Sequence, residues 1–186
     1  MSPNSFGALR KKVQSRKKKV VFVDDVQEVH RYTYQMAKEL GLKHSHVYSP
    51  EQFRKILAQR LLAIRKLQST KRQKLARAAS PEEKRNLSAQ IRRLEAMKKS
   101  PFDLVVSDIN MPAGEPWGIL MINGIKRKRP TQKVLVHSDD VDAMVGLERL
   151  LDVPYVNKLD YNSLDDLKGS IKRELARRVK KPTKKA

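Results

Sequence analysis

The chain of 186 residues is long enough for one domain of ordinary size with an added element, and its 39% hydrophobic content supports a single core. It contains no cysteine, which excludes disulfides, thiolate metal sites and cysteine nucleophiles. No apolar run approaches the ~20 residues of a membrane span and the amino terminus lacks a signal-peptide apolar segment, so we expect a soluble, cytoplasmic protein. The formal charge of +21 predicts anionic partners or, with equal weight, a basic surface that serves only solubility.

The first predicted unit is a basic arm followed by a strand, an acidic turn and a helix. Residues 1–17 are polar and end in a cluster of lysines and arginines, which predicts a flexible arm. Residues 20–23 are an uninterrupted apolar run, and Asp24 and Asp25 follow at once, as expected of a buried strand that ends in carboxylates. The next apolar residues recur at helical spacing up to Gly41, which suits the end of a helix.

The second predicted unit contains an unusually long helical segment. Residues 43–48 alternate weakly between apolar and polar, which predicts a short second strand. Ser49 and Ser80 each open a capping box with proline at the first helical position, and they predict helices of ~30 and ~19 residues. Because one layer of helix over a sheet needs far fewer residues, we interpret residues 60–99 as a helical hairpin that extends the second helix.

This predicted hairpin is basic outside and only partly apolar in its seam. Gln68 and Lys71 lie where the first helix should offer leucine to the second. The outer faces carry Arg60, Arg65, Lys66, Arg72, Lys74, Arg77, Arg85, Arg92, Arg93, Lys98 and Lys99. We expect a docking surface for nucleic acid or an acidic protein, or self-association as a homodimer; a solvated hairpin without a partner is the alternative. The lack of interleaved aromatic residues favours phosphates over bases as the nucleic-acid contact.

Three more strands are predicted after the hairpin, and each is followed by polar side chains. The apolar runs cover residues 104–106, 134–136 and 155–157, and the polar residues after them include Asp108, Ser138 and Lys158. The connecting helices are predicted at residues 119–128, 142–151 and 164–179, and residues 180–186 form a basic tail. Five buried strands that alternate with helices predict a parallel, doubly wound α/β sheet. In such sheets ligands bind at the carboxyl ends of the strands, where these polar side chains lie.

These residues together resemble the response-regulator receiver domain of two-component signalling, of the single-domain chemotaxis type. The resemblance covers residues 18–41 and 102–171, and its signature is Asp24-Asp25, Ser-Asp-Ile-Asn-Met-Pro around Asp108, Ser138 and Lys158. It implies a flavodoxin-like sheet in the order 2-1-3-4-5, with residues 18–179 forming one receiver domain that the hairpin interrupts. In that topology the hairpin projects from the sheet edge remote from Asp108.

The resemblance also implies a phosphoacceptor rather than an enzyme, with autodephosphorylation as its only catalytic activity. Asp108 would accept the phosphoryl group from a histidine kinase or a phosphotransfer protein. The implied Mg²⁺ ligands are Asp25, Asp108, the backbone carbonyl of Asn110 and, through water, Asp24. The implied phosphoryl partners are Lys158 and Ser138, and the implied switch pair is Ser138 and Tyr155.

Several residues depart from the receiver pattern. Asp139 stands beside the conserved hydroxyl, where the family has a small residue, and Leu159 follows the lysine, where the family has a proline in a cis bond. The loop at residues 113–118 is longer than the family's usual turn. We therefore expect restricted access for the phosphodonor and unusual kinetics, and the alternative function is a basic binding or scaffold protein with a vestigial pocket. The histidines, namely His30, His44, His46 and His137, are expected to be surface or hydrogen-bonded residues rather than metal ligands.

Overall fold

The computed structural model describes residues 16–111, 117–160 and 162–178. The strands are β1 (Lys19–Val23), β2 (Lys43–Val47), β3 (Leu104–Ser107), β4 (Val134–Ser138) and β5 (Tyr155–Asn157). The helices are α1 (Gln27–Glu39), α2 (Pro50–Arg77), α3 (Pro81–Lys99), α4 (Trp117–Lys128), α5 (Val141–Leu151) and α6 (Ser163–Ala176). None of the helices in these described ranges combines the length and the apolar character that crossing a membrane requires.

All five strands are parallel and lie in the order β2-β1-β3-β4-β5, which confirms the predicted sheet. Successive residues of a strand point to opposite faces, so Val21 contributes to one core layer and Phe22 to the other. The first layer contains side chains from α2, α4 and α5, and the second contains side chains from α1 and α6. Helices therefore cover both faces of the sheet, as a doubly wound fold requires.

The expectation that all five strands are buried is wrong for β2 and β5. Val47 and Val156 are the only buried residues of these two strands, whereas every residue of β3 and β4 is buried. The physical reason is position, because β2 and β5 are the edges of the sheet and each has a neighbouring strand on one side only.

Two helix boundaries also differ from the sequence prediction. Helix α4 begins at Trp117 rather than at residue 119. Helix α6 ends at Ala176, because Arg177 takes an extended backbone with φ −57° and ψ 130°. The predicted arm lies outside the described residues except for Arg16 and Lys17, and Arg16 donates to Asp103 Oδ2 at 3.2 Å. The predicted tail at residues 180–186 lies outside the described residues.

Helices α2 and α3 form the hairpin, with 28 and 19 residues. Both serine N-caps are present: Ser49 Oγ accepts from the amide of Gln52 at 3.2 Å, and Ser80 Oγ accepts from the amide of Glu83 at 3.1 Å. The predicted capping box at Ser49 is incomplete, because Gln52 Oε1 accepts from the amide of Tyr48 at 2.8 Å rather than from that of Ser49. At its base Arg60 donates to the carbonyl of Pro101 at 3.4 Å, close to where β3 begins. The rest of the hairpin therefore extends beyond the edge at which the strands start, on the side away from Asp108.

The seam of the hairpin contains a buried polar side chain that is hydrogen-bonded to a partly exposed carboxylate. Ile64 and Leu87 are buried between the helices, and Gln68 is buried as well, with 4% of its surface exposed. The amide of Gln68 donates to the carboxylate of Glu95 on α3. This partner explains how a glutamine occupies a position where apolar packing calls for leucine, since a buried amide costs little once it is hydrogen-bonded.

Candidate functional site

Asp108 lies immediately after β3, at the carboxyl end of the central strands. Its amide donates to the carbonyl of Val23 at 2.9 Å, which extends the β1–β3 pairing by one residue, and its side chain is buried. Oδ1 of Asp108 accepts from the amide of Ile109 at 2.6 Å and from the hydroxyl of Ser138 at 2.6 Å. Oδ2 accepts from Lys158 Nζ at 2.6 Å. The carboxylate is therefore held in one orientation by groups from β3, β4 and β5.

Lys158 bridges two carboxylates of the pocket. Its Nζ lies 2.7 Å from Asp24 Oδ2 and 2.6 Å from Asp108 Oδ2. Burial opposes the charged ammonium, yet Asp108 and Asp24 outweigh that cost and raise the pKa of Lys158 above its usual value. Burial also raises the pKa of Asp24, and the ammonium of Lys158 offsets part of this rise. At neutral pH the ammonium is the positive charge of this pocket.

The three aspartates are placed as a ligand set for a hard cation. Asp24, Asp25 and Asp108 each offer a carboxylate oxygen, and these oxygens lie within 4.8 Å of one another. With Lys158 the group has a formal net charge of −2, and Asp25 is the most accessible of its carboxylates. Oxygen donors and uncompensated negative charge fit Mg²⁺, which takes a few carboxylates and keeps waters in its other positions. The amide of Asn110 donates to Asp108 Oδ1 at 3.3 Å, and the role of its carbonyl as a ligand stays a prediction.

Gly118 supports the site and was not identified from the sequence, where it was placed in a loop. It lies in the first turn of α4, and its amide donates to the carbonyl of Ile109 at 2.9 Å. A Cβ atom at this position would lie 2.2 Å from the carbonyl oxygen of Asp108 and 2.5 Å from that of Ile109. Only glycine permits this approach, so α4 packs directly on the backbone that carries the candidate phosphoacceptor.

The turn after β5 is organised by Asn157, a role that was not identified from the sequence. Its side-chain oxygen accepts from the amide of Leu159 at 3.0 Å, and its side-chain amide donates to Asp160 at 3.1 Å. The described residues contain no cis peptide bond, so this Asx-type turn is what presents Lys158 at the position before Leu159. The amide of Lys158 donates to the carbonyl of Ser138 at 2.8 Å, which ties the turn to the end of β4.

The residues around the hydroxyl of Ser138 differ in exposure. Ser138 is fully buried, whereas the neighbouring Asp139 is exposed. Asp140 caps α5 by accepting from the amide of Ala143 at 3.0 Å. Tyr155 is half-buried and pairs with Val136 in the sheet. Its movement as a switch stays a prediction.

Two histidines are buried near the site. His30 Nε2 donates to the carbonyl of Asp24 at 2.7 Å, and its Nδ1 lies 2.8 Å from Nδ1 of His46, so His30 is hydrogen-bonded as expected. His137 departs from the expectation, because its Nε2 is buried and has no hydrogen-bond partner among the described residues. Burial, together with the nearby ammonium of Lys158, lowers the pKa of His137 to about 4, which keeps the ring neutral at pH 7.

Comparison with known proteins identifies the fold through structure alone. No family model and no curated protein matches the sequence.

Three solved structures illustrate the similarity in fold. The receiver domain of an HD-domain-containing protein from Pseudomonas fluorescens is 14% identical with a TM-score of 0.55, covering 87% of this chain and 89% of that chain. The response regulator TrrA from Thermotoga maritima, in complex with Mg²⁺-BeF, is 18% identical with a TM-score of 0.52, covering 84% and 98%. A CheY-like receiver domain from Methanospirillum hungatei is 16% identical with a TM-score of 0.52, covering 86% and 94%. The chain thus has the fold of response-regulator receiver domains, with a basic helical hairpin inserted between its second and third strands.

Proposed function

We propose that the chain is the phosphoacceptor response regulator of a two-component phosphorelay and that Asp108 is phosphorylated in the presence of Mg²⁺. One observation carries the proposal: Ser138 and Lys158 each contact Asp108 at 2.6 Å, one on each carboxylate oxygen, while Asp24 and Asp25 offer oxygens beside it. The TrrA structure, which has the same fold, contains Mg²⁺-BeF, and this supports the same type of ligand here. A histidine kinase or a phosphotransfer protein is the proposed donor.

In the proposed transfer, a carboxylate oxygen of Asp108 forms a bond to the phosphorus of a phosphohistidine. The phosphorus–nitrogen bond breaks, and the leaving nitrogen keeps its electron pair and can take up a proton. Bound Mg²⁺ would supply positive charge to the phosphoryl oxygens, with Asp24, Asp25 and Asp108 as its protein ligands. Both oxygens of Asp108 accept hydrogen bonds, so the attacking oxygen must release its donor.

The released donor is already placed for the product. Ser138 Oγ lies at hydrogen-bond distance from Oδ1 of Asp108 and Lys158 Nζ from Oδ2, so whichever oxygen becomes bonded to phosphorus has one of these donors beside it. Either group can then donate to a phosphoryl oxygen, and the ammonium suits this role as a compact point charge. The exposed carboxylate of Asp139 would repel an anionic donor at the entrance, so we propose that transfer is slow compared with a site that has a small residue there.

The test is phosphorylation by a small donor. The protein is incubated with acetyl phosphate and Mg²⁺, or with the beryllofluoride mimic, and intact mass and tryptophan fluorescence are recorded. We expect the mass of one phosphoryl group to be added to the parent protein and to Asp166→Asn, an exposed aspartate of α6 that serves as the matched control. Asp108→Asn should gain nothing. A parent protein that shows no mass gain and no spectral change would exclude the proposal.

A second function is favoured by a specific feature of the pocket. The ammonium of Lys158 already contacts two of the three carboxylates, which lowers the electrostatic demand for a metal ion. In that case the chain is a basic binding or scaffold protein on a receiver fold. Isothermal titration with Mg²⁺ separates the two functions, because only the phosphoacceptor requires a heat of binding that Asp108→Asn abolishes.

A further inference from the structure

The hairpin carries its positive charge unevenly. Residues 50–99 contain 15 lysines and arginines but only four acidic residues. On α3 the exposed residues Arg85, Arg92 and Lys99 stand seven residues apart, which is almost two helical turns and places them in one row with a spacing of about 10.5 Å. On α2 the exposed residues Arg65 and Arg72 have the same spacing, and Arg54 lies three turns before Arg65 on the same side.

The two rows lie on the same side of the hairpin. The row is displaced from the buried seam by about a fifth of a turn on α2 and by about a third of a turn on α3, in the same rotational sense, and for an antiparallel pair this places both rows on one face. A contact agrees with this geometry: Arg72 Nη2 reaches across to Glu95 Oε1 of α3 at 3.3 Å. We call this surface the basic face, and its members are Arg54, Arg65, Arg72, Arg85, Arg92 and Lys99.

Little negative charge compensates the basic face. Arg54 and Arg72 have ion pairs at 3.8 and 3.3 Å, both exposed to solvent and therefore weak. The other four members make no ion pair with a described residue. Lys66, Lys74 and Arg77 are also exposed, but they point to other sides of α2.

We propose that the basic face binds the phosphate backbone of a nucleic-acid duplex. Five of its six members are arginines, whose planar guanidinium groups bind phosphate oxygens through two parallel hydrogen bonds. A row of three residues is about 21 Å long, which matches roughly six base-pair steps of 3.4 Å. Residues 54–101 contain no aromatic residue, so the hairpin offers no platform for stacking unpaired bases.

An acidic protein fits this surface less well. Protein interfaces are usually centred on buried aromatic or apolar anchors. The exposed large apolar side chains of the hairpin are Leu62 and Leu67, and neither belongs to the two rows. The inference does not depend on phosphorylation of Asp108, because the hairpin extends from the opposite edge of the sheet.

The test compares two triple variants that each remove three charges. Arg65→Gln, Arg85→Gln and Arg92→Gln change the basic face, whereas Lys66→Gln, Lys74→Gln and Arg77→Gln change other sides of the hairpin. All six residues are exposed and lack ion pairs with described residues, so both variants should fold, which circular dichroism checks. Binding of the full chain to a fluorescein-labelled 24-base-pair DNA duplex is measured by anisotropy between 50 and 200 mM NaCl.

If each member of the basic face neutralises one phosphate, the slope of log K against log salt is about −5 for the parent protein. The basic-face variant should lose about three units of that slope, and the control variant should keep it. An RNA duplex that binds with a similar slope also supports the proposal. Equal losses in both variants, a flat salt dependence, tighter binding to single strands or to polyglutamate, or a hairpin-mediated dimer that blocks DNA binding would each overturn it.

Discussion

Replacing Lys158 by methionine tests whether its ammonium offsets the electrostatic repulsion among the three clustered aspartates and so stabilises the fold. Methionine keeps a long, flexible chain but removes the charge that lies 2.7 Å from Asp24 and 2.6 Å from Asp108. The three side chains are only 17%, 4% and 6% exposed, so water screens the pair weakly. At an effective dielectric constant of about 20, each contact is worth roughly 6 kcal/mol before desolvation is subtracted.

Desolvation of the ammonium and the carboxylates opposes most of that attraction. Removing one partner of a buried ion pair typically costs about 3–5 kcal/mol, and we expect the lower end because Asp24 can take up a proton in the variant. With a denaturant slope of about 2 kcal/mol/M, a loss of ~3 kcal/mol moves the urea midpoint by about 1.5 M. The measurement is urea unfolding at pH 7 in EDTA.

Mg²⁺ provides the decisive comparison. A cation bound among Asp24, Asp25 and Asp108 replaces the missing charge, so Mg²⁺ should stabilise Lys158→Met more than it stabilises the parent protein. A ligand at 100 times its dissociation constant contributes about 2.7 kcal/mol, which would recover most of the loss. The control is Lys168→Met, whose partner Glu39 lies at a similar 2.6 Å but in solvent, and its midpoint should not move. An unchanged midpoint for Lys158→Met in EDTA, or equal stabilisation of both proteins by Mg²⁺, would refute the reasoning.

Three further predictions concern the supporting structure. Gly118→Ala places a Cβ against the carbonyl of Asp108 and should cost about 1–3 kcal/mol in urea unfolding and weaken Mg²⁺ binding, whereas Gly124→Ala on the same helix, with open space around its Cβ, should be neutral or stabilising. Between pH 6.5 and 4 the unfolded chain protonates His137 while the folded chain does not, so stability should fall by about 3 kcal/mol and His137→Gln should remove that part of the acid loss. Ser80→Ala removes the α3 cap and should cost about 1 kcal/mol, visible as faster amide exchange in its first turn; unchanged exchange would contradict the role of the cap.

Local sequence signals determined most of the architecture. Apolar runs followed by polar residues placed four of the strands and weak alternation placed β2. Two capping-box patterns placed the long helices of the hairpin, because all these signals act over a few neighbouring residues. The grouping of Asp24, Asp25, Asp108, Ser138 and Lys158 also followed, since the carboxyl ends of parallel strands meet at one edge of the sheet. The strand order was predicted through the resemblance to receiver domains, and the sheet confirms it; the spacing of the elements alone would not have given it.

Contacts between distant segments were decided only by the tertiary structure. The sequence marks Gly118 as one of two glycines in a predicted loop, and only the packing of α4 on the backbone after β3 shows why a side chain cannot fit there. The sequence showed only that Leu159 replaces the family's proline after Lys158, and it did not reveal the turn that Asn157 forms there. Nothing in the sequence indicated the hydrogen bond from His30 to the carbonyl of Asp24. The exposure of β2 and β5 likewise depends on which strands became edges.

The site shows the same division. The sequence by itself determined which charged groups lie at one edge of the sheet, because residue type and strand position fix that edge. It did not determine that one ammonium spans Asp24 and Asp108, because that contact joins residues 134 positions apart in the chain. The sequence identified the basic residues of the hairpin. Which of them belong to the basic face and which point to other sides depends on how α2 pairs with α3. Packing between distant segments sets the distances between these charged groups. It therefore also sets the local charge of the pocket and of the basic face, where anionic ligands would bind.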